Sequence, residues 1–513
     1  MSISITERLP DLISGSAAPP SRHPIASWDD SSPPLSDAQR VISLFAPAPS
    51  LRMDAFVHDS YGRERFYWSE PGEAETQLTM AAQGIAATIN VAPILGDDKP
   101  NIANGDLRLP GHRFAEMSAA VGRLFDQAII RPIGWMAESD INSAWDKHPA
   151  RPRLFGGFAF QDDFVPDNTW SAFSPAQFVL PHYQLVRVGA DQFLTINALV
   201  SRDDNLADSL RGLREALSAR LGYEASHVPH PLRPTDIRYP MSAEMWAEIV
   251  GQATQAIKNG AIEKVVLSRV CEVKAAEPID VAAALAYLDS HYADSYRFIF
   301  EPSPHHAFFG ATPELLVRKD GRHIETMALA GSGARGRDKA EDEGLGRQLL
   351  TSAKDRHEHQ LVVDAIQHQL AYWVEEVAIS ETPTLLKLRN IQHLLTPIQG
   401  TLRHPQADIL ALVRQLHPTP AMGGVPVAKA LAFLQQAEPV PRGWYAAPIG
   451  WMDAHRDGVF AVAIRSAVTQ YSRAWLYAGA GIVGDSEPDH EWAETALKFR
   501  PMLGALGIRE SAG

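Results

Sequence analysis

The sequence predicts a layered fold of strands and helices, of the α/β (α+β) kind. Two observations predict it. Short apolar runs rich in β-branched and aromatic residues, closed by Gly, Pro and Asp turns, alternate with longer stretches of helical periodicity. A hydrophobic content of 45% over 513 residues supplies a sizeable core. That length fits one large domain or roughly two to four smaller ones.

Residues 1–50 hold Ala17-Ala-Pro-Pro20 and Asp29-Asp-Ser-Ser-Pro-Pro34, a composition that predicts a loosely ordered or surface-draped segment. Residues 51–240 read as globular but chemically quiet. Phe114, Met117, Val121, Leu124, Phe125 and Ala128 give helical periodicity from Phe114 to Ile129. Leu154–Phe160 and Gln177–Pro181 read as strands of a buried sheet, and Pro229 to Pro240, with Pro231 and Pro234, reads as a junction. Residues 241–513 carry the sharper signals. Ser242 to Lys258 is an amphipathic helix, and Lys264 to Val270 a strand. Phe298–Phe300 and Ala307–Phe309 flank a Pro-containing turn. Leu315–Arg318 and His323–Leu329 form a hairpin around Asp320-Gly321. Asp342 to Trp373 is mostly helical. Gly450–Asp453 and Val459–Val468 form a second hairpin through Asp457-Gly458. Leu476 to Val483 is a buried strand running into a Gly-rich turn, and a helix follows through Glu491 and Lys498. Ser486 and Asp489 suggest a capping box, with Pro488 suited to the first turn.

A net charge of −14 argues against nucleic acid and anionic membranes as partners. An anionic substrate would need local Lys, Arg or metal. The single Cys271 allows no internal disulfide and follows an apolar run, as a buried structural thiol does. The N-terminus lacks a basic and apolar signal pattern, and no apolar run reaches membrane-spanning length. A cytoplasmic location is expected.

Glu491, Glu494 and Lys498 fall at i, i+3 and i+7, on one helix face. Two carboxylates and an ammonium there could hold a divalent cation beside an anionic substrate, although a solvated Glu–Lys face is the commoner meaning of such spacing. Gly331-Ser-Gly-Ala-Arg-Gly336 matches GxGxxG, but the charged helical run after it does not supply the second strand and acidic residue of a dinucleotide site. In His357-Glu358-His359 the two histidines point to nearly opposite sides of a helix, so they cannot share an ion; one residue of the three can face a site, and a carboxylate suits Mg²⁺ best. Glu314, just before an apolar strand, could be a general acid if buried, or simply cap a turn. Lys264 could be a base once desolvated, or a snorkelling lysine at a strand end. Nucleophile elbow and P-loop patterns are absent from the sequence.

These segments, in order, resemble the chorismate-utilising enzymes: isochorismate synthases, salicylate synthases, anthranilate synthase large subunits and aminodeoxychorismate synthases. The resemblance covers about 242–507. It rests on Lys264-Val-Val-Leu-Ser-Arg, Gly310-Ala-Thr-Pro-Glu-Leu-Leu-Val, Leu329-Ala-Gly-Ser-Gly, Lys354-Asp-Arg-His-Glu-His, His393-Leu-Leu-Thr-Pro, His417-Pro-Thr-Pro-Ala-Met-Gly-Gly-Val-Pro, Ala463-Ile-Arg-Ser, Ala478-Gly-Ala-Gly-Ile-Val and Glu491-Trp-Ala-Glu-Thr. Residues 51–235 loosely resemble the N-terminal part of longer, menaquinone-type isochorismate synthases. Lysine at 264, where ammonia-using members commonly carry glutamine, and the His417-Pro-Thr-Pro-Ala421 sequence point to the isochorismate synthase branch.

The resemblance implies a single large α/β sandwich, two β-sheets packed between outer helices, which residues 51–240 complete. It implies Mg²⁺-dependent conversion of chorismate to isochorismate. Lys264 would deprotonate a water that attacks C2, and Glu314 would protonate the departing C4 hydroxyl. Glu358 and Glu494 would hold Mg²⁺, with Glu491 near or through water. The Gly331 N–H and Lys498 would hold the ring carboxylate, and Arg465 with the Gly479 and Gly481 turn the enolpyruvyl carboxylate. His393 would line the ring, and Ala421 would leave room for the water. One pH must leave the lysine able to give up its proton and the carboxyl able to keep one; desolvation favours both neutral forms. A salicylate synthase, which goes on to eliminate pyruvate, is the alternative. No glutaminase subunit is expected, and a monomer is the default. The product's fate in menaquinone, siderophore or salicylate synthesis stays open, with the N-terminal half favouring menaquinone.

Overall fold

The structure, a computed structural model, describes residues 3–4, 39–73, 75–93, 111–133, 148–222 and 232–508. Helix starts follow local chemistry. Ser242 accepts the Met245 N–H at 3.2 Å and opens the helix Ala243–Lys258. Asp280 does the same, through the Ala282 N–H, for Val281–His291. Ser352 ends the helix Lys339–Thr351 and caps the next, Ala353–Leu370, so the single helical stretch expected from Asp342 to Trp373 is two helices meeting at one serine.

Strand pairing explains how distant segments meet. The strand Ala176–Val188 pairs along one side with Leu78–Val91; along its other side, residues 176–179 pair with Arg153–Phe158 and residues 183–188 with Asp191–Ser201. Two sheets therefore diverge from one shared strand. One runs through Arg65–Ser69, Tyr296–Ser303, His306–Thr312, Ser466–Gln470 and Arg473–Ile482 to Lys264–Ala275. The other runs from Arg153–Phe158 through Pro448–Asp453, Gly458–Val462, Leu315–Asp320 and His323–Ala334 to Ile391–Leu402. Each sheet thus joins strands from residues 51–240 to strands beyond 241.

Alternation sorts side chains into two main cores. Phe298, Phe300, Phe308 and Val468 enter one, with Trp246, Val362 and Ile366 from the helices Ala243–Lys258 and Ala353–Leu370. Ile299, Phe309 and Ala467 enter the other, with Leu285, Phe499 and Met502 from Val281–His291 and Pro488–Ala505. Helices thus cover both sheets, as an α/β sandwich requires.

Several expectations are corrected. Gln39–Pro47 is a largely buried strand, so residues 39–47 do not belong to a loose segment; the runs at 17–20 and 29–34 lie outside the described residues. The helix predicted to Ile129 is His112–Phe125, because Ile129 starts a strand. Within the proposed junction, Pro234–Arg238 pairs with the end of Lys264–Ala275, and residues 229–231 are outside the described set. The turn of the Leu315 hairpin is Gly321-Arg322, with Asp320 still paired to His323. Ser486 does not cap the last helix: its hydroxyl accepts the Val483 N–H, Glu487 occupies the cap position, and Pro488 is the first helical residue.

Candidate active site

All twelve residues singled out in the sequence line one cavity: Lys264, Glu314, Gly331, Glu358, His393, Ala421, Arg465, Gly479, Gly481, Glu491, Glu494 and Lys498. Lys264 opens its strand, paired there with Val425, and Val266 faces Gly481 across the ladder while Ser268 faces Gly479. The two glycines lie inside the strand Arg473–Ile482, and the expected Gly-rich turn is absent. The reason for glycine at 481 is a close approach. A Cβ there would stand 2.9 Å from Glu358 Oε1 and 3.1 Å from Lys264 Cε.

Glu314 sits between the strands ending at Thr312 and beginning at Leu315; the Thr312 hydroxyl accepts its N–H, and its carbonyl accepts the Val462 N–H. Gly331 interrupts its strand differently. The ladder runs from Ala330–Leu394 to Ser332–His393, skipping Gly331, which has φ +75°. This is a bulge, and glycine supplies the left-handed backbone it needs.

Arg465 corrects another expectation. The strand predicted over Val459–Val468 is two strands, Gly458–Val462 and Ser466–Gln470, separated at 463–465. Arg465 has φ +50°, and its guanidinium reaches His393 Nε2 at 3.3 Å. Because guanidinium only donates, Nε2 accepts, and the imidazole proton therefore lies on Nδ1, 3.3 Å from the Gly331 carbonyl and 3.1 Å from Ser332 Oγ. Burial, then the charges of Arg465 and Lys498, push His393 well below the ordinary histidine range, so it stays neutral.

The helices bring the charges. Glu358 faces the cavity, while His359 is buried against Thr396 and His357 is exposed, so the three neighbours diverge as helical geometry requires. Lys264 Nζ donates to Glu358 Oε1 at 2.7 Å. Burial opposes charge on Glu358, but Lys264, joined by Lys498 and Lys354, outweighs it and holds the carboxyl below its usual value. Lys498 Nζ lies 2.5 Å from Glu494 Oε1 and donates to the Gly479 carbonyl at 2.9 Å. Burial and the Glu494 charge push Glu491 up to about 7. Glu314 is pushed up to about 8 by burial, against the pull of Lys264, Arg465 and Lys498.

Four carboxyls line the cavity: Asp355, Glu358, Glu491 and Glu494. Burial, with the Glu358 and Glu494 charges, also raises Asp355. Hard carboxylate oxygens suit Mg²⁺, and their mutual repulsion marks excess negative charge that a cation would relieve. Among the described residues no three His, Cys, Asp or Glu side chains stand close enough to enclose an ion. The set fits a hard cation by donor chemistry, with Lys264 and Lys498 neutralising two of its members.

The cavity also contains residues that the sequence did not single out. Asp355 lies three positions before Glu358, a spacing that could have revealed it, and Lys354 stands 4.0 Å from Glu491. Ser332 follows the bulge. Tyr445 stacks on Tyr477 with ring centroids 5.1 Å apart, and no local motif announces it. Cys271 is buried in a core, its thiol pushed up to about 11 by burial, and takes no part in the cavity.

A family model described as chorismate binding enzyme matches residues 113–507. The chain belongs to that family. Among chorismate-binding relatives, isochorismate synthase MenF of Bacillus subtilis is 38% identical over 361 residues, 69% of this chain and 75% of that protein. The salicylate biosynthesis isochorismate synthase of Pseudomonas aeruginosa is 40% identical over 362 residues, 70% of this chain and 75% of that protein. The solved structure of MenF, the menaquinone-specific isochorismate synthase from Escherichia coli, has a TM-score of 0.69 over 92% of this chain and 95% of that one, at 24% identity, a likeness of fold. Among the described residues no helix is long and apolar enough to cross a membrane.

Proposed function

We propose that this chain is an isochorismate synthase, a hydroxymutase converting chorismate to isochorismate. The observation that carries the reading is one cavity lined by both Lys264 and a Glu314 carboxyl that burial holds up to about 8. Those two groups meet the needs of an allylic hydroxyl transposition. Lys264 takes a proton from water as the water oxygen bonds to C2 of the ring. Both ring double bonds shift, C1=C2 to C6=C1 and C5=C6 to C4=C5, the C4–O bond breaks, and Glu314 gives its proton to the leaving hydroxyl, which departs as water. Proton exchange then resets both groups, and no net water is consumed. The neutral amine of Lys264 can keep its 2.7 Å contact with Glu358 through one N–H while its lone pair takes the proton from water.

Arg465 and Lys498 supply positive charge for the two carboxylates of chorismate, the guanidinium fork suiting the enolpyruvyl group. The Gly331 N–H, at the bulge, would hold the ring carboxylate with Lys498, neutral His393 would line the ring, and Ala421 would leave space for water. Glu358 and Glu494, with Glu491 near or through water, would hold Mg²⁺, which neutralises and orients a substrate carboxylate. In this reading the enzyme acts in the cytoplasm without a glutaminase subunit, a monomer is the default state, and the product feeds menaquinone, siderophore or salicylate synthesis, the N-terminal half favouring menaquinone. Incubation with chorismate and Mg²⁺, without ammonia, tests the reading by product mass spectrometry. Isochorismate supports it. Salicylate with pyruvate moves the chain to the salicylate synthases, and an ammonium-dependent aminated product refutes the water nucleophile.

A further inference from the structure

A buried ion pair behind the cavity ties together the two segments that form its Lys264 side. Glu438 ends the helix Val427–Ala437, and Arg442 follows four residues later. Their side chains are 9% and 4% exposed, in contact through Arg442 Nη2 and Glu438 Oε1 at 2.6 Å and through Nε and Oε2 at 2.8 Å. Each partner spends its remaining capacity on backbone. Arg442 Nη1 donates to the Met422 carbonyl at 2.9 Å, and Nη2 to the Val266 carbonyl at 2.5 Å. Glu438 Oε1 accepts the Ser268 N–H at 2.7 Å. The guanidinium also lies over the Phe160 ring, 4.4 Å from its centroid.

The two carbonyls belong to different parts of the site. Met422 follows Ala421, on the loop between Leu416 and Gly424, whereas Val266 is two residues beyond Lys264. The backbone already pairs Lys264 and Val265 with Val425 and Gly424; one planar guanidinium adds a brace at the next step, between the Ala421 wall and the strand that carries the lysine. Only arginine has a fork that reaches two carbonyls and a carboxylate together; lysine is a point charge.

We propose that Arg442, oriented by Glu438, is a positioning residue for the reaction, setting the gap between Lys264 and the Ala421–Met422 wall in which the attacking water is held. This rests on the isochorismate synthase reading. The pair touches neither Arg465 nor Lys498, so substrate affinity should stay while the chemical step suffers.

Arg442→Lys tests this in the full-length chain, with Glu438→Gln as a milder second variant. Hydrogen exchange gives a readout independent of turnover. Peptides over 417–425 should exchange faster in Arg442→Lys, with those over 315–329 unchanged. Steady-state kinetics should show kcat for chorismate down by about ten-fold or more, as expected of a small misplacement of reacting groups, with KM within about three-fold and Glu438→Gln intermediate. Unchanged exchange at 417–425 would overturn the anchoring role. Faster exchange with wild-type kcat, or a raised KM with wild-type kcat, would overturn the positioning role. A wild-type chain that turns over no chorismate would instead refute the functional reading, and is seen before any variant is compared.

Discussion

Lys264 Nζ and Glu358 Oε1, 94 positions apart in the chain, lie 2.7 Å apart beneath Gly481. The lysine side chain is 1% exposed and the glutamate 16%. The contact joins the proposed base to a proposed cation ligand, so perturbing either partner affects both roles.

Lys264→Ala should lower kcat by about 10²–10⁴-fold, the range typical of a lost general base, while circular dichroism and the melting profile report an intact fold. Activity within a few-fold of wild type would remove Lys264 from the proton transfer.

Glu358→Gln should raise the Mg²⁺ concentration for half-maximal rate by about 10-fold or more, as loss of a ligand or its support does. It also leaves the Lys264 ammonium without its carboxylate. A magnesium titration superposable on wild type would place the cation elsewhere.

Glu314 acts as an acid only while protonated. Its carboxyl is held up to about 8 by burial, so kcat/KM should fall as pH rises through about 8. The same shift bears on stability. A carboxyl raised in the folded state contributes stability that is present below its ordinary value near 4.5 and lost as pH rises through about 8. Glu314→Gln should therefore abolish turnover yet flatten the fall in melting temperature between about pH 4.5 and about pH 8. A fall in melting temperature over that window equal to that of wild type would contradict the assignment.

Gly481→Ala tests the close approach directly. The new methyl would meet Glu358 Oε1 at 2.9 Å and Lys264 Cε at 3.1 Å. Since φ at Gly481 is not in the left-handed region, the backbone tolerates alanine and the cost falls on the ion pair. The variant should fold, with kcat reduced by about ten-fold or more, as misplaced catalytic groups behave. Wild-type kcat would show that the pair can shift freely.

How much was legible depended on range. The cavity residues stand in short ordered segments, and some carry a chemical signal of their own: a carboxyl before an apolar strand, two glutamates and a lysine on one helix face, a central glutamate between diverging histidines; His393, Ala421 and Arg465 were legible only through the resemblance. Their convergence in one cavity needs pairings such as Val266 with Gly481, which no local pattern contains. The errors have the same origin. Gly479 and Gly481 read as a turn because glycine is poor in isolated strands, yet here the neighbouring strand and Glu358 occupy the space their side chains would take. Arg465 sat in an apolar run that promised one strand, and only its contact with His393 shows why the chain leaves the ladder there. Gln39–Pro47 lay next to a Pro- and Ser-rich segment, and its pairing partner, Asp191–Ser201, is far away in sequence. Tyr445 and the Arg442–Glu438 pair had no local signature, since their roles lie in what they touch.

The most direct test of the central claim is turnover of chorismate in ¹⁸O-labelled water with Mg²⁺, with mass spectrometry of the isochorismate formed early in the reaction. The account predicts one ¹⁸O per isochorismate, located on the C2 hydroxyl and absent from Lys264→Ala samples. Isochorismate formed without label would mean that the hydroxyl migrates within the ring without attack by water, and would contradict the roles given to Lys264 and Glu314.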